Sequence, residues 1–102
     1  MQHSIQEHRR EIEELCRTFR VRRLAVFGSA ASDGFDDSRS DIDLLVEFLP
    51  LSPAEHAGAY FGLLAELERI LRLPVDLVEA SALKNPYIRR NIVARQEIVY
   101  EP

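Results

Sequence analysis

The chain has 102 residues, of which 46% are hydrophobic, and this length and composition predict one globular domain over residues 1–102. Charged residues interrupt every apolar run before the ~20 residues of a membrane span, and the N-terminus lacks the apolar core of a signal peptide. Cys16 is the single cysteine, which excludes an internal disulfide and favours a cytoplasmic protein, and the net charge of −4 argues against a nucleic-acid partner.

A helix and a strand are predicted at the start of the chain. Apolar residues recur every three to four positions over residues 4–20, and Ser4 with Glu7 fits an N-terminal capping box. Cys16 lies on this apolar stripe, so we expect it to be a buried structural thiol. Residues 24–27 (LAVF) form a short apolar run, ended by a glycine, that predicts a buried strand.

The second predicted strand carries two carboxylates. Residues 29–40 are small and polar and predict a loop, after which Asp41–Phe48 (DIDLLVEF) predict a strand. Side chains alternate between the faces of a strand, so Asp41 and Asp43 project from one face, about 6–7 Å apart along the chain. The opposite face contains the apolar residues Ile42, Leu44 and Val46.

The second half of the chain predicts helices alternating with strands. Ser52 and Glu55 form a second capping box, Pro53 stands at the first helical position, and Pro74 ends the helix. The predicted buried face of this helix comprises Ala57, Tyr60, Phe61, Leu64, Leu67 and Leu71. The remaining elements are a strand, a short helix and a last strand, at residues 75–78, 86–95 and 97–100. This order predicts an α/β or α+β fold, a mixed sheet of about four strands covered by helices, and leaves the strand order open.

Gly28-Ser29 follows the first strand directly and could seat phosphate oxygens. Glycine lets the backbone approach a ligand closely, and the N–H groups of the turn and the Ser29 hydroxyl can donate to an anion. An ordinary turn accounts for the same pair of residues.

The carboxylates on the second and third strands suggest a cation site. Asp41 and Asp43 repel one another on an apolar-flanked strand, and Mg²⁺, which takes oxygen ligands, would resolve that conflict. Asp76 stands in the short apolar run VDLV and could complete a three-carboxylate cluster if the second and third strands are neighbours. The alternatives are that Asp41 caps a turn, that Asp43 ends an exposed strand, and that Asp76 lies on an edge strand. Glu79 competes with Asp76, but alternation places it on the opposite face.

Together, Gly28-Ser29, the small polar loop and Asp41-Ile42-Asp43 resemble the signature of the DNA polymerase β-type nucleotidyltransferase superfamily. The stretch VFGSAASDGFDDSRSDIDLLVEF is most similar to its minimal nucleotidyltransferase branch, the MNT antitoxins, and LPVDLVEASAL and RQEIVYEP agree in character and order. The resemblance implies that Gly28 and Ser29 hold a nucleoside triphosphate, that Asp41 and Asp43 ligate Mg²⁺, and that Asp76 is the third acid of the site.

The resemblance also implies a partner and a reaction. Members of this branch are often paired with a HEPN-domain toxin, and some transfer AMP from ATP to a tyrosine of that toxin. This chain departs from many relatives, which have an arginine and a glycine where it has Ser32-Asp33. That departure leaves open a second function, in which the chain neutralises its partner by binding and masking it without catalysis.

Other polar residues are assigned no chemistry from the sequence. His3, His8 and His56 lie on separate segments without metal-ligand spacing, and are interpreted as surface or packing residues. Lys84, Arg89 and Arg90 surround the start of the last predicted helix, where they form a solvated face or contact a phosphate or an acidic partner.

Overall fold

The computed structural model describes residues 3–27 and 42–102. Within them the element order is α1 (His3–Glu7), α2 (Arg9–Thr18), β1 (Val21–Phe27), β2 (Ile42–Phe48), α3 (Pro53–Leu71), β3 (Val75–Glu79), a 3₁₀ turn (Ala80–Ala82), α4 (Pro86–Arg95) and β4 (Glu97–Tyr100). The predicted mixed sheet with helices packed on it is confirmed. β1 begins earlier than predicted, at Val21, and β3 continues through Glu79. Over the described ranges, no helix has the length and apolarity that a membrane crossing requires.

The four described strands form one sheet in the order β3-β2-β1-β4. β1 runs antiparallel to both β2 and β4, whereas β2 and β3 are parallel. The end of β1 therefore lies at the same end of the sheet as the beginnings of β2, β3 and β4. Asp43 and Asp76 both lie there, and we call this the carboxylate end of the sheet.

The apolar face of β2 packs against α1, α2 and α3. Ile42, Leu44 and Val46 are buried on this face, as the alternation predicted. They share one core with residues from all three helices and the other strands, including Ile5, Ile12, Cys16, Leu24, Leu63, Leu67, Leu77 and Val99. Cys16 is completely buried, and this burial raises the pKa of its thiol to about 12. The interpretation of Cys16 as a structural thiol agrees with this environment.

The N-terminal helix is divided at His8, which the sequence did not predict. α1 ends at Glu7 and α2 begins at Arg9. Helical hydrogen bonds nevertheless continue on either side of the break, since the His8 N–H donates to the Ser4 carbonyl at 3.1 Å. The predicted capping box at Ser4 is wrong, because the first helix already begins at His3 and Ser4 lies inside its first turn.

The capping box at the start of α3 is confirmed. The Glu55 N–H donates to the Ser52 hydroxyl, and the Ser52 N–H donates to the Glu55 carboxylate, both at 3.3 Å. This reciprocal pair lowers the pKa of Glu55, because the hydrogen bonds stabilise its charged form. The beginning of the long helix is therefore determined locally, by Ser52, Pro53 and Glu55.

The predicted buried face of α3 is partly wrong. The helix buries Leu63, Leu67, Ile70 and Leu71, whereas Phe61 is 66% exposed and Ala57 is exposed as well. Tyr60 and Leu64 are half-buried. Phe61 lies two positions before Leu63, which places it about 160° away from Leu63 around the helix. Gly62, which stands between them, faces the ring of Phe19 from the end of α2.

The two glycines of α3 provide a test of this packing. A Cβ atom added at Gly62 would lie 2.5 Å from Cε1 of Phe19, whereas one added at Gly58 has nothing within 4 Å. We expect Gly58→Ala to raise the free energy of unfolding by about 0.5–1 kcal/mol through helix propensity. Gly62→Ala loses that gain because the Phe19 ring must move, and we expect net destabilisation. Urea denaturation of both variants measures the difference, and equal stabilisation of both would contradict this account of α3.

Candidate active site

Asp43 and Asp76 lie directly opposite one another on neighbouring strands. Each is the second residue of its strand, and the parallel pairing of β2 with β3 places the two residues in register. Neighbouring strands are about 4.8 Å apart, and residues in register on parallel strands project from the same face. From the sequence, Asp76 was expected to join Asp43 only if the second and third strands were neighbours, and β2 and β3 are neighbours. Asp43 is half-buried and Asp76 is exposed.

The other predicted site residues lie outside the residues that the structure describes. These are Gly28, Ser29 and Asp41, together with the departure at Ser32-Asp33. Their roles stay predictions. Phe27, which precedes Gly28 in the chain, pairs with Asp43 on the side away from Asp76.

Two hydrogen bonds fix the beginnings of β2 and β3, immediately before the carboxylates. The Ile42 N–H donates to the carbonyl of Pro74 at 3.0 Å. The Val75 N–H donates to a carboxylate oxygen of Glu68, on the last turns of α3, also at 3.0 Å. The first bond joins β2 to the residue before β3, and the second joins the start of β3 to α3, while the parallel pairing itself places Asp43 opposite Asp76. Sequence reasoning missed Glu68, because no local pattern links a helical glutamate to a strand seven residues later.

β3 is an edge strand of the described sheet, as the alternative interpretation of Asp76 supposed. Edge exposure explains why one carboxylate is tolerated in this short apolar strand. It does not explain a second carboxylate in register on the neighbouring strand, because opposed like charges destabilise a sheet. The pair is therefore a candidate cation site.

Glu79 does not belong to this site. It pairs with Val46, whose side chain lies in the core, and its carboxylate is hydrogen-bonded to the ring of His56 on α3. The His56 ring also packs against Phe48, with 5.2 Å between the ring centroids. Glu79 and Asp76 thus face opposite sides of the sheet, as alternation predicted, and His56 has a packing partner, which agrees with its interpretation from the sequence.

The charges of Asp76 and Glu79 both act on Tyr60 of α3. The Tyr60 hydroxyl donates to the Leu77 carbonyl at 2.7 Å, and its pKa is raised by burial and then by the charges of Glu79 and Asp76. Because phosphates are anionic, a triphosphate approaching Asp43 and Asp76 would be repelled unless a cation lay between them.

The donor set at this end of the sheet fits Mg²⁺. Carboxylate oxygens are the ligands that Mg²⁺ prefers, and an exposed position leaves room for the waters and phosphate oxygens that usually complete its octahedron. Adjacent ligand oxygens around Mg²⁺ are about 3 Å apart, given bonds of about 2.1 Å, and side chains on strands 4.8 Å apart can reach that spacing. In residues 3–27 and 42–102 no group of three metal-ligating residues occurs. Asp41, the remaining predicted ligand, lies outside these residues.

Comparison with known proteins shows a consistent set of relatives. A family model described as a nucleotidyltransferase domain matches residues 8–99. Two relatives from Methanocaldococcus jannaschii, both named provisionally as protein adenylyltransferases, are 35% and 33% identical to this chain. The first alignment covers 80% of this chain and 78% of the relative, and the second covers 94% and 89%.

Solved structures share the fold. One, named provisionally as a minimal nucleotidyltransferase, matches with a TM-score of 0.77 at 28% identity and covers 95% of each chain. Another match is to a chain from the complex of a tri-AMPylated HEPN toxin of Shewanella oneidensis with an MNT antitoxin. Its TM-score is 0.65 at 21% identity, over 95% of this chain and 72% of that one, and this likeness concerns the fold alone.

The carboxylate pair predicts that Mg²⁺ stabilises the folded protein. An ion at about 100 times its Kd contributes about 2.7 kcal/mol to the native state. Thermal unfolding with and without MgCl₂ should therefore show a rise in Tm for the wild type that is lost in Asp43→Asn and in Asp76→Asn. Glu79→Gln is the matched control, on the same strand as Asp76 but on the opposite face, and should keep the rise. An undiminished rise in both aspartate variants would contradict the site.

Proposed function

This chain belongs to the nucleotidyltransferase domain family, and on that basis we propose that it transfers AMP from ATP to a hydroxyl group of a partner protein, with Mg²⁺ as cofactor. The observation that carries the proposal is the in-register pair of Asp43 and Asp76 at the carboxylate end of the sheet. The provisional names of its relatives as protein adenylyltransferases support AMP as the transferred group.

The order of the strands suggests how the substrates are arranged. Gly28 and Ser29 continue from Phe27 on β1, Asp43 lies in the middle on β2, and Asp76 lies on the edge strand. We therefore propose that the triphosphate binds on the β1 side and that the acceptor hydroxyl approaches from the exposed side, at Asp76. Asp41 and Asp43, with Asp76 as the third acid, would hold Mg²⁺, which when bound neutralises charge on the phosphates.

The reaction is an in-line substitution at the α-phosphorus. A new bond forms between the acceptor oxygen and the α-phosphorus, the bond from that phosphorus to the bridging oxygen breaks, and pyrophosphate leaves with the bonding electrons. The proton of the acceptor hydroxyl passes to a base. Asp76 is our candidate for orienting that hydroxyl or accepting its proton, because its exposed carboxylate lies on the outermost strand.

We propose a HEPN-type toxin as the protein that presents the hydroxyl, so that the chain acts as the antitoxin of a toxin–antitoxin pair. The exposed position of Asp76 suits a hydroxyl presented by another macromolecule better than a small molecule enclosed in a pocket. The fold neighbour from Shewanella oneidensis is a complex with a HEPN toxin that carries AMP, which supports the same class of partner here.

A second candidate function is neutralisation by binding alone. The observation that favours it is Ser32-Asp33, at the place where many relatives of this branch have an arginine and a glycine. If that arginine contributes to triphosphate binding, a chain without it would bind ATP more weakly. The carboxylates at Asp41, Asp43 and Asp76 favour the enzyme.

Label transfer from α-³²P-ATP distinguishes the two functions. The purified protein is incubated with MgCl₂ and the purified product of the adjacent gene, taken as the HEPN-type acceptor. We expect labelled acceptor with the wild type and at least a hundredfold slower labelling with Asp43→Asn or Asp76→Asn, because each removes a ligand or base of the reaction. Glu79→Gln should label at close to the wild-type rate.

The same pair of proteins provides the contradicting result. Growth inhibition by the acceptor is measured in cells that also produce this chain. Relief of inhibition that survives Asp41→Ala and Asp43→Ala together would support masking over catalysis. Labelling that is unchanged in Asp43→Asn would overturn the assignment of the site itself.

A further inference from the structure

Helix α4 lies almost entirely in solvent. None of its ten residues is buried, and three large apolar side chains are exposed: Tyr87 by 75%, Ile88 by 50% and Val93 by 46%. Tyr87, Arg90, Asn91 and Ala94 are all exposed and share one face by the helical spacing of three, four and seven residues. We call these four residues the α4 face.

A helix of this length gains little stability by itself. Isolated helices shorter than about 12–15 residues are marginal in water, and most helices in proteins are stabilised by packing an apolar face. α4 is helped locally, because the Asn85 side chain accepts hydrogen bonds from the N–H groups of Tyr87 and Ile88, at 2.9 and 3.3 Å. It has no buried stripe of its own, so it would be further stabilised by docking against another molecule.

The charge around α4 is opposite to that of the chain. Residues 80–96 contain four basic side chains, Lys84, Arg89, Arg90 and Arg95, and no acidic one, although the whole chain has a net charge of −4. A basic surface that also exposes an aromatic and aliphatic side chains is complementary to a protein surface with acidic residues around an apolar centre. An acidic chain with one basic helix is a poor general ligand for nucleic acid, because its remaining surface repels phosphates.

The end of α4 lies close to the carboxylate end of the sheet. After Arg95 and Gln96 the chain enters β4, whose first residue, Glu97, pairs with Val26. Val26 precedes Phe27, which pairs with Asp43. β4 is separated from β2 only by β1, so the end of α4 lies about 10 Å, two strand spacings, from the strand that carries Asp43.

The size of the helix indicates how a partner would use it. A ten-residue helix is about 15 Å long, so its face supplies only part of the ~800 Å² that each partner contributes to a standard interface. The rest must come from a neighbouring surface, and the carboxylate end of the sheet is the one that an acceptor hydroxyl has to reach. Asp76 lies three strand spacings from β4, about 14 Å, so a partner seated on α4 must span β1 and β2 to present a hydroxyl there.

We propose that the α4 face is a docking surface for an acidic protein partner, and that it positions that partner's hydroxyl at the carboxylate end of the sheet. The inference rests on the proposed function for the identity of the reaction, but the docking itself is measurable without catalysis. Tyr87 is the apolar anchor, and Arg90, one turn later on the same face, is its charged neighbour.

The test compares matched variants of the full chain in binding to the purified product of the adjacent gene, by isothermal titration calorimetry. We expect Tyr87→Ala and Arg90→Glu each to raise the Kd about tenfold or more, and Arg90→Lys to restore most of the affinity. The controls are Phe61→Ala, an exposed aromatic on α3, and Arg10→Glu, an exposed arginine on α2, which should stay within about twofold of the wild type. Circular dichroism verifies that each variant is folded.

Labelling experiments separate a failure of docking from a failure of the proposed function. Asp43→Asn should bind the partner as the wild type does and transfer no label, whereas Tyr87→Ala should recover the wild-type rate at saturating partner. Unchanged Kd values in Tyr87→Ala and Arg90→Glu, or no binding by the wild type, would overturn the docking surface. If label is still transferred in the same samples, the proposed function is not contradicted. A mixed-sequence RNA 20-mer that bound the wild type more tightly than the purified protein partner does, and that lost this binding in Arg90→Glu, would also overturn a protein as the occupant.

Discussion

The parallel pairing of β2 with β3 is the interaction on which the candidate site depends. It places Asp43 opposite Asp76, two carboxylates that no other feature of the described chain would bring together. The pairing begins with the hydrogen bond from the Ile42 N–H to the Pro74 carbonyl, and a second bond, from the Val75 N–H to Glu68, joins the start of β3 to α3. A slip of one residue along either strand would turn one carboxylate to the opposite face, toward the core, because successive side chains alternate.

Helix α3 connects the core to the site. Its beginning is capped by Ser52 and Glu55, and its buried stripe packs against the apolar face of β2. Near its end, Glu68 accepts the hydrogen bond from the first residue of β3. One helix therefore stabilises the sheet on one face and determines where the edge strand begins. Asp43 and Asp76 lie on the opposite face of the sheet.

The sequence predicted an element correctly where its bounds and orientation depend on residues close together in the chain. The capping box at Ser52, the break at Pro74 and the alternation in β2 involve residues within a few positions of one another, and all three agree with the structure. Predictions failed where the cause is a distant contact. Phe61 was assigned to the core from its spacing, but the contact between Gly62 and Phe19 accompanies an orientation of α3 that leaves Phe61 in solvent. The division of the first helix at His8 and the role of Glu68 likewise have no local signature.

The sequence by itself determined the class of fold, the alternation that puts Asp43 on the face of its strand opposite Ile42, Leu44 and Val46, and the family to which the carboxylates and Gly28-Ser29 point. These follow from residue spacing and type, which are properties of a short segment. Only the tertiary structure decided that β2 and β3 are neighbours, that they run parallel in register, and that α4 has no buried face. Those facts depend on contacts between residues far apart in the chain, where the free energy of pairing and packing is shared among many side chains and no single segment encodes it.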